Sequence, residues 1–130
     1  MDQIIKIEYA QVSCGYDDLG EIRYSNLQKS FMFNFDLNKK NHQTIVGFLQ
    51  NQRLYEPDVA GFMTRVIKEG DCVVDIGANV GFHTMLMASL VGKNGFVDAY
   101  EPAEENILEI TLNQNSNDYA NIKIHQKILG

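Results

Sequence analysis

The chain has 130 residues, of which 45% are hydrophobic, and a formal net charge of -6. This is enough apolar material for one globular domain, and no segment approaches the roughly 20 apolar residues that cross a bilayer. The acidic balance argues against a nucleic-acid phosphate backbone as partner, because such proteins need a basic face. The first residues carry charges throughout a short apolar run and have no positive leader, so we expect a cytoplasmic protein.

Residues 1–54 are predicted to form a small β-rich segment. Glycines and aspartates at positions 15–20 are typical of a turn, and residues 38–41 of a polar loop. Residues 44–49 are apolar enough for a short helix. Three runs around the turn look like short antiparallel strands: Ile4 to Ala10, Glu21 to Tyr24 and Phe31 to Phe35.

Residues 55–130 show the alternation of a parallel α/β unit. An amphipathic helix, predicted to pack on the sheet, follows Pro57 and ends before Gly70, with apolar residues Val59, Phe62, Met63, Val66 and Ile67 at helical spacing. After this helix, strands alternate with helices, and the central strands are predicted to be buried. The predicted fold class is therefore α/β, the N-terminal half of a doubly wound (Rossmann-like) parallel sheet. The predicted elements are the strand 72–76, helix 82–91, strand 96–100, helix 103–115 and strand 122–125, and the helix 103–115 has the apolar residues Ile107, Leu108, Ile110 and Leu112.

Two motifs follow the first two of these strands. Asp75, Gly77, Asn79 and Gly81 alternate through a turn, and the next strand ends in Glu101-Pro102. The glycine spacing does not fit a dinucleotide fingerprint, and no lysine follows the turn as in a phosphate-binding P-loop. It fits D-x-G-x-G-x-G with asparagine in the middle, a residue that tolerates positive φ. Such a pair predicts a pocket for a nucleoside-type cofactor.

The residues from Gly70 to Gly130 resemble the core of an S-adenosylmethionine-dependent methyltransferase of the FkbM family. The resemblance rests on the run from Asp75 to Thr84 and on Tyr100-Glu101-Pro102. Tyr55-Glu56-Pro57 also resembles the family. Further matches are Asn106, Asn113, Asn117, Asn121-Ile122 and Leu129-Gly130. The resemblance implies S-adenosylmethionine as cofactor and O-methylation of a sugar or another small-molecule hydroxyl.

Glu101 is the central candidate in the cofactor site. Its carboxylate could accept hydrogen bonds from both ribose hydroxyls, so Glu101→Ala should weaken binding with little loss of folding. Gly77 and Gly81 would let the ligand approach the turn. Asp75 either braces the loop or faces the positive methionine end of the cofactor. The predicted site also includes Ala78, Asn79 and Pro102 from the two motifs. Asn79 either contacts the ligand or stabilises the bend.

Glu56 and His83 complete the predicted cofactor-binding set, each with an alternative. Glu56 either complements the start of its helix or closes the pocket. His83, in the first turn of the helix after the glycine turn, is a ligand contact or a structural residue, and no general base is assigned. The other predicted structural residues are His42 and His125, the cysteines Cys14 and Cys72, with Cys72 buried, and Asn106 and Asn113 as helix-surface or capping residues. No metal site is predicted.

The third predicted strand ends close to residue 130, whereas the fold that the chain resembles has about seven strands. We therefore expect a C-terminally truncated methyltransferase whose first strand has an uncovered edge, open to self-association. Two other functions stay open. One is a non-catalytic cofactor-binding or interaction module, and the other, less favoured, is an NAD(P)-dependent oxidoreductase.

Overall fold

A computed structural model describes residues 2–128, with the backbone alone for residues 2, 12–14 and 25. The predicted role of Cys14 and the resemblance at Leu129-Gly130 therefore lie outside what is described. Five strands and four helices follow one another within the described range. In chain order they are β1 (Asp2–Tyr16), β2 (Ile22–Asp36), α1 (Lys40–Gln50), α2 (Pro57–Val66), β3 (Cys72–Ile76), α3 (Phe82–Val91), β4 (Phe96–Tyr100), α4 (Glu104–Ser116) and β5 (Ile122–His125).

The N-terminal segment forms one long antiparallel hairpin of β1 and β2, in register from Asp2 opposite Asp36 to Tyr16 opposite Ile22. The prediction of three short strands was wrong, although the turn was found. Asp17 closes that turn, because its Oδ1 accepts hydrogen bonds from the amides of Leu19 and Glu21. The helix predicted at residues 44–49 is longer, since α1 takes in part of the expected loop.

The second sheet is parallel, in the order β3, β4, β5. This confirms the α/β class, and β3, α3, β4 and β5 have the predicted bounds. Helix α3 contacts β3 and β4 on one side and β2 of the hairpin on the other. The molecule therefore has three layers: the parallel sheet, the helices and the hairpin.

The core between hairpin and helices is aromatic. Phe33 and Phe35 are fully buried, and the rings of Phe31 and Phe33 both lie 5.3 Å from the ring of Phe82 at the start of α3. Burial of one such side chain stabilises the fold by about 1.5–3 kcal/mol. The packing fixes the first turn of α3, the part of the helix that follows the glycine turn.

Side chains at the C-terminal end of α4 satisfy the free edge of β2. The side-chain oxygen of Asn117 accepts a hydrogen bond from the backbone N–H of Met32 at 2.6 Å, and its side-chain nitrogen donates to the Met32 carbonyl at 2.8 Å. Asn113, only 1% exposed, accepts from the backbone of Asn34 at 2.7 Å. The prediction that Asn113 lies on the helix surface or caps it was wrong. The asparagines replace a neighbouring strand and so cover an edge that would otherwise be open to another chain.

The predicted helix before β3 is present as α2, but its apolar stripe is only partly buried. Val59, Phe62 and Val66 are exposed, whereas Met63 packs against the core and Ile67 is buried. Cys72 is exposed rather than buried, because it lies on the open face of the sheet, whereas Val73 and Asp75 on the opposite face of β3 are half-buried. On the same sheet face, Val74 and Ile76 are 58% and 65% exposed. Separately, β3 is the first strand in the order β3, β4, β5, so within residues 2–128 the expected uncovered edge is present.

Candidate functional site

The turn after β3 bends back against the end of β4. The amides of Gly77 and Ala78 both donate to the carbonyl of Tyr100, at 2.9 and 3.0 Å. Positive φ values occur at Gly77 (72°), Asn79 (55°) and Gly81 (90°). An asparagine replaces glycine here because its short polar side chain tolerates the left-handed region.

The two glycines of this turn serve different needs. A Cβ atom on Gly81 would lie 2.8 Å from Cγ1 of Ile110, so glycine is required for α4 to pack against the turn. A Cβ atom on Gly77 would meet nothing within 4 Å. Of the two, Gly77 is the position that borders open space.

Glu101 is joined to this turn. Its Oε1 accepts from the amide of Asn79 at 2.8 Å, while Oε2 accepts from the amide of Ala103 at 2.9 Å and from Nδ2 of Asn106 at 3.2 Å. Desolvation opposes ionisation of this 5% exposed residue, but the three hydrogen bonds outweigh it and keep the pKa of Glu101 below its usual value. A carboxylate has about four acceptor directions, so one on Oε1 remains. Asn106 thus supports Glu101.

The pKa of Asp75, the acid in β3, is shifted in the opposite direction to that of Glu101. Its Oδ2 accepts a 2.6 Å hydrogen bond from the hydroxyl of Thr84. Burial raises the pKa of Asp75 above its usual value, against the lowering effects of Thr84 and His83, and the charge of Glu101 adds to the rise. A cation near Asp75 would therefore find a carboxylate whose charge is poorly compensated by the protein.

His83, on α3, contacts the segment before α2. Its ring stacks on Tyr55, with centroids 5.4 Å apart, and Nε2 lies 3.2 Å from the Tyr55 carbonyl. Nδ1 lies 3.6 Å from Oε1 of Glu56. The side chain of Glu56 makes no capping hydrogen bond to α2, and its backbone is left-handed at φ 51°. Glu56 therefore does not cap α2 through its side chain, and whether its carboxylate complements the helix dipole or closes the pocket stays a prediction.

These residues surround a small cleft of about 110 Å³ at the carboxyl end of β3. Asp75 and Glu56 give it two acids, and Tyr55, Phe82 and His83 give it aromatic walls. Ligand clefts usually enclose about 300–1,000 Å³, so a nucleoside-sized ligand would also cover open surface beside it. The other lining residues are Asn41, Ile45, Gly77, Ala78, Asn79 and Val80.

Two parts of this arrangement differ from the sequence-based site. Gly81, Glu101 and Pro102 do not line the cleft, and Pro102 is exposed, with its carbonyl 3.4 Å from Nε2 of Gln126. Asn41 and Ile45, which no motif marked, come from α1 and close one side of the cleft. Only long-range packing of α1 brings them there, so no local pattern could have identified them.

Two kinds of feature are not found in residues 2–128. No group of three or more histidine, cysteine or acidic side chains in this range could hold a metal ion. No helix in the same range is long and apolar enough to span a bilayer.

Comparison with known proteins shows which folds this arrangement shares. The chain matches no protein-family model, and no curated protein matches it. Among solved structures, a proposed rRNA methylase from Clostridium thermocellum is 26% identical, with a TM-score of 0.53 over 55% of this chain and 39% of that one. An S-adenosylmethionine-dependent O-methyltransferase from Thermotoga maritima is 19% identical, with a TM-score of 0.51 over 90% and 56%.

A protein-L-isoaspartate O-methyltransferase is 17% identical, with a TM-score of 0.52 over 91% of this chain and 29% of that one. The chain thus spans between 29% and 56% of the length of these three proteins. These likenesses, together with the parallel sheet and its helices, show that the chain has the Rossmann-like α/β fold that these methyltransferases share.

Proposed function

We propose that this chain binds S-adenosylmethionine and forms the cofactor site of a methyltransferase. The observation that carries the proposal is the contact between the Asn79 amide and the Glu101 carboxylate. It joins the turn after β3 to the acid that follows β4, at the carboxyl ends of adjacent parallel strands, where nucleotide-type ligands bind in open α/β sheets.

The chemistry of the cleft suits this cofactor. S-adenosylmethionine carries a sulfonium and an ammonium group, and Asp75 and Glu56 place two carboxyl groups in the cleft. When bound, the cofactor supplies an electrophilic methyl group. In the proposal Asp75 and Glu56 face its cationic end, Gly77 lets it approach the backbone, and Glu101 holds the ribose through its remaining acceptor direction. Ala78, Asn79, Gly81, Pro102 and His83 complete the proposed set.

The FkbM-type acceptor, a hydroxyl of a sugar or another small molecule, is also a proposal. It is supported by the sequence resemblance and by the net charge of -6, which disfavours a nucleic acid. The names of two similar structures refer to rRNA and to protein isoaspartate, so the fold itself does not select a small acceptor. Acceptor panels should therefore include sugars, peptides and RNA.

Calorimetric titration tests the cofactor. We expect S-adenosylmethionine to bind and NAD⁺ and NADP⁺ not to bind. S-adenosylhomocysteine lacks the sulfonium charge, so Asp75→Asn should reduce the preference for S-adenosylmethionine over it. Asp118→Asn, a change at an exposed site, is the control. Binding of a nicotinamide cofactor alone would favour the oxidoreductase, and cofactor binding without transfer to any acceptor would favour the non-catalytic module.

A further inference from the structure

The end of the hairpin extends past the rest of the molecule. Gln11 is anchored to the end of α2, where its Nε2 donates to the carbonyls of Thr64 and Ile67. Residues 15–24, here called the arm, are exposed except for the half-buried Asp17. Five residues separate Gln11 from the end of β1, so the arm reaches about 17 Å beyond this anchor.

One face of the arm is apolar. Tyr16 and Ile22 are opposite each other in the register, and Tyr24 follows Ile22 on the same face. Together with Leu19 in the turn, these side chains are between 51% and 84% exposed. A two-stranded ribbon is only marginally stable by itself in water, and grouped exposed apolar residues mark interaction sites. The arm therefore needs a partner surface.

A groove lies at the base of the arm. Its volume is about 780 Å³, within the range of clefts that take a ligand, and it is mainly apolar. Oδ1 of Asn121, which lines it, is buried and has no hydrogen-bond partner among the described residues. We call it the lysine groove and define it by Lys29, Ser89, Lys93, Phe96, Tyr119 and Asn121.

The arm and the lysine groove have opposite charges. The arm contains Asp17, Asp18 and Glu21 against Arg23 alone, whereas the groove has Lys29 and Lys93 against one acid, Asp118. Arg23 is already paired with Asp17 at 2.9 Å and with Glu21 at 3.3 Å, so the arm keeps a net negative charge.

We propose that two copies of this chain form a dimer in which the arm of each lies in the lysine groove of the other. Lys29, in the groove, lies seven residues from Ile22, in the arm, on the same strand, which is about 23 Å. A two-fold axis that crosses this span places each arm beside the groove of its partner. The exchange is reciprocal, so the assembly closes at two copies.

Sedimentation equilibrium on the full chain, from micromolar to near-millimolar concentration, tests the proposal. We expect a monomer–dimer equilibrium that weakens about tenfold or more in the arm variant Tyr16→Ser/Tyr24→Ser and in the groove variant Lys93→Glu. Both change exposed residues, so circular dichroism and melting should stay close to wild type. Lys123→Glu, an exposed lysine on β5, is the matched control and should leave the equilibrium unchanged.

Mixing the two variants gives the decisive result. The intact arm of the groove variant can enter the intact groove of the arm variant, so an equimolar mixture should form heterodimers at concentrations at which each variant alone is mainly monomeric. A mixture that stays monomeric would overturn the pairing of arm with groove. The proposal is also overturned if the wild type is monomeric at every concentration. It is overturned as well if both variants dimerise as tightly as the wild type, as they would if the chains paired through the uncovered edge of β3.

Discussion

The Glu101 carboxylate and the Asn79 amide, 22 residues apart in the chain, are joined by a 2.8 Å hydrogen bond at the carboxyl end of the parallel sheet. The same carboxylate also accepts from Ala103 and Asn106 at the start of α4. One acid therefore fixes both the turn after β3 and the segment after β4. Changes at Glu101 should affect stability as well as any ligand.

We expect Glu101→Ala to lower the free energy of unfolding by about 1–3 kcal/mol, because three donors lose a buried acceptor. This revises the sequence-based expectation that folding would be little affected. Urea denaturation measures the effect, and Glu105→Ala, at an exposed site on α4, is the control, expected to change the free energy by less than about 1 kcal/mol. Equal losses in both variants would contradict the structural role.

Acidification should reveal the same role. The pKa of Glu101 is lower in the folded state, so its stabilising contribution is present above the unfolded value of about 4.3 and is lost as the pH falls through the folded-state value. The difference between wild type and Glu101→Gln should therefore shrink as the pH falls below about 4. A difference that does not change with pH would contradict this.

Asp75→Asn should raise the free energy of unfolding at neutral pH. Burial raises the pKa of Asp75 in the folded state, so its ionised form destabilises the fold above that pKa, and this cost disappears as the pH falls to the unfolded value of about 3.9. The difference in the free energy of unfolding between Asp75→Asn and wild type should therefore shrink as the pH falls from the folded-state pKa to the unfolded value. Denaturation at several pH values checks it, and Asp118→Asn, at an exposed site, should show no such trend.

Gly81→Ala and Gly77→Ala form a matched pair. Both positions have positive φ, so each alanine should cost about 1–2 kcal/mol in backbone strain. At Gly81 the new methyl group also meets Cγ1 of Ile110, which should add about 1–3 kcal/mol. Thermal or urea unfolding of the two variants measures the difference. Equal destabilisation would show that packing against Ile110 does not require the glycine.

Asn113→Ala should lower the free energy of unfolding by about 1–3 kcal/mol, because the buried amide of Asn34 loses its acceptor. Asn115→Ala, two residues along α4 and exposed, is the control and should be nearly neutral. Hydrogen exchange of the backbone amide of Asn34 should also become faster in Asn113→Ala but not in Asn115→Ala. Unchanged exchange would indicate that the side chain of Asn113 does not protect the edge of β2.

The C-terminal part of the fold was predictable because its sequence patterns are local. The strand Cys72–Ile76 is an apolar run that ends at a glycine, and Phe82–Val91 is apolar almost all round and ends at Gly92. The turn motif and Glu101 were also read from the sequence, and the structure brings them together. The cofactor roles of these residues stay predictions.

The N-terminal part was not predictable in the same way. Polar residues in the middle of β2, from Asn26 to Ser30, resemble a loop, and they form strand because they pair with β1. Burial of Asn113 depends on the distant edge of β2, and exposure of Cys72 depends on which face of β3 the rest of the chain covers. These features follow from long-range pairing, which no local pattern of residues contains. The division between residues 54 and 55 also stays a prediction.

The thiol of Cys72 lies on the same sheet face as the exposed Val74 and Ile76. A solvent-accessible thiol can be alkylated, and the rate depends on its access to the reagent. Any chain that came to rest on this face would slow the labelling of Cys72 with iodoacetamide. The cysteine thus acts as a built-in chemical probe of whether that surface is covered.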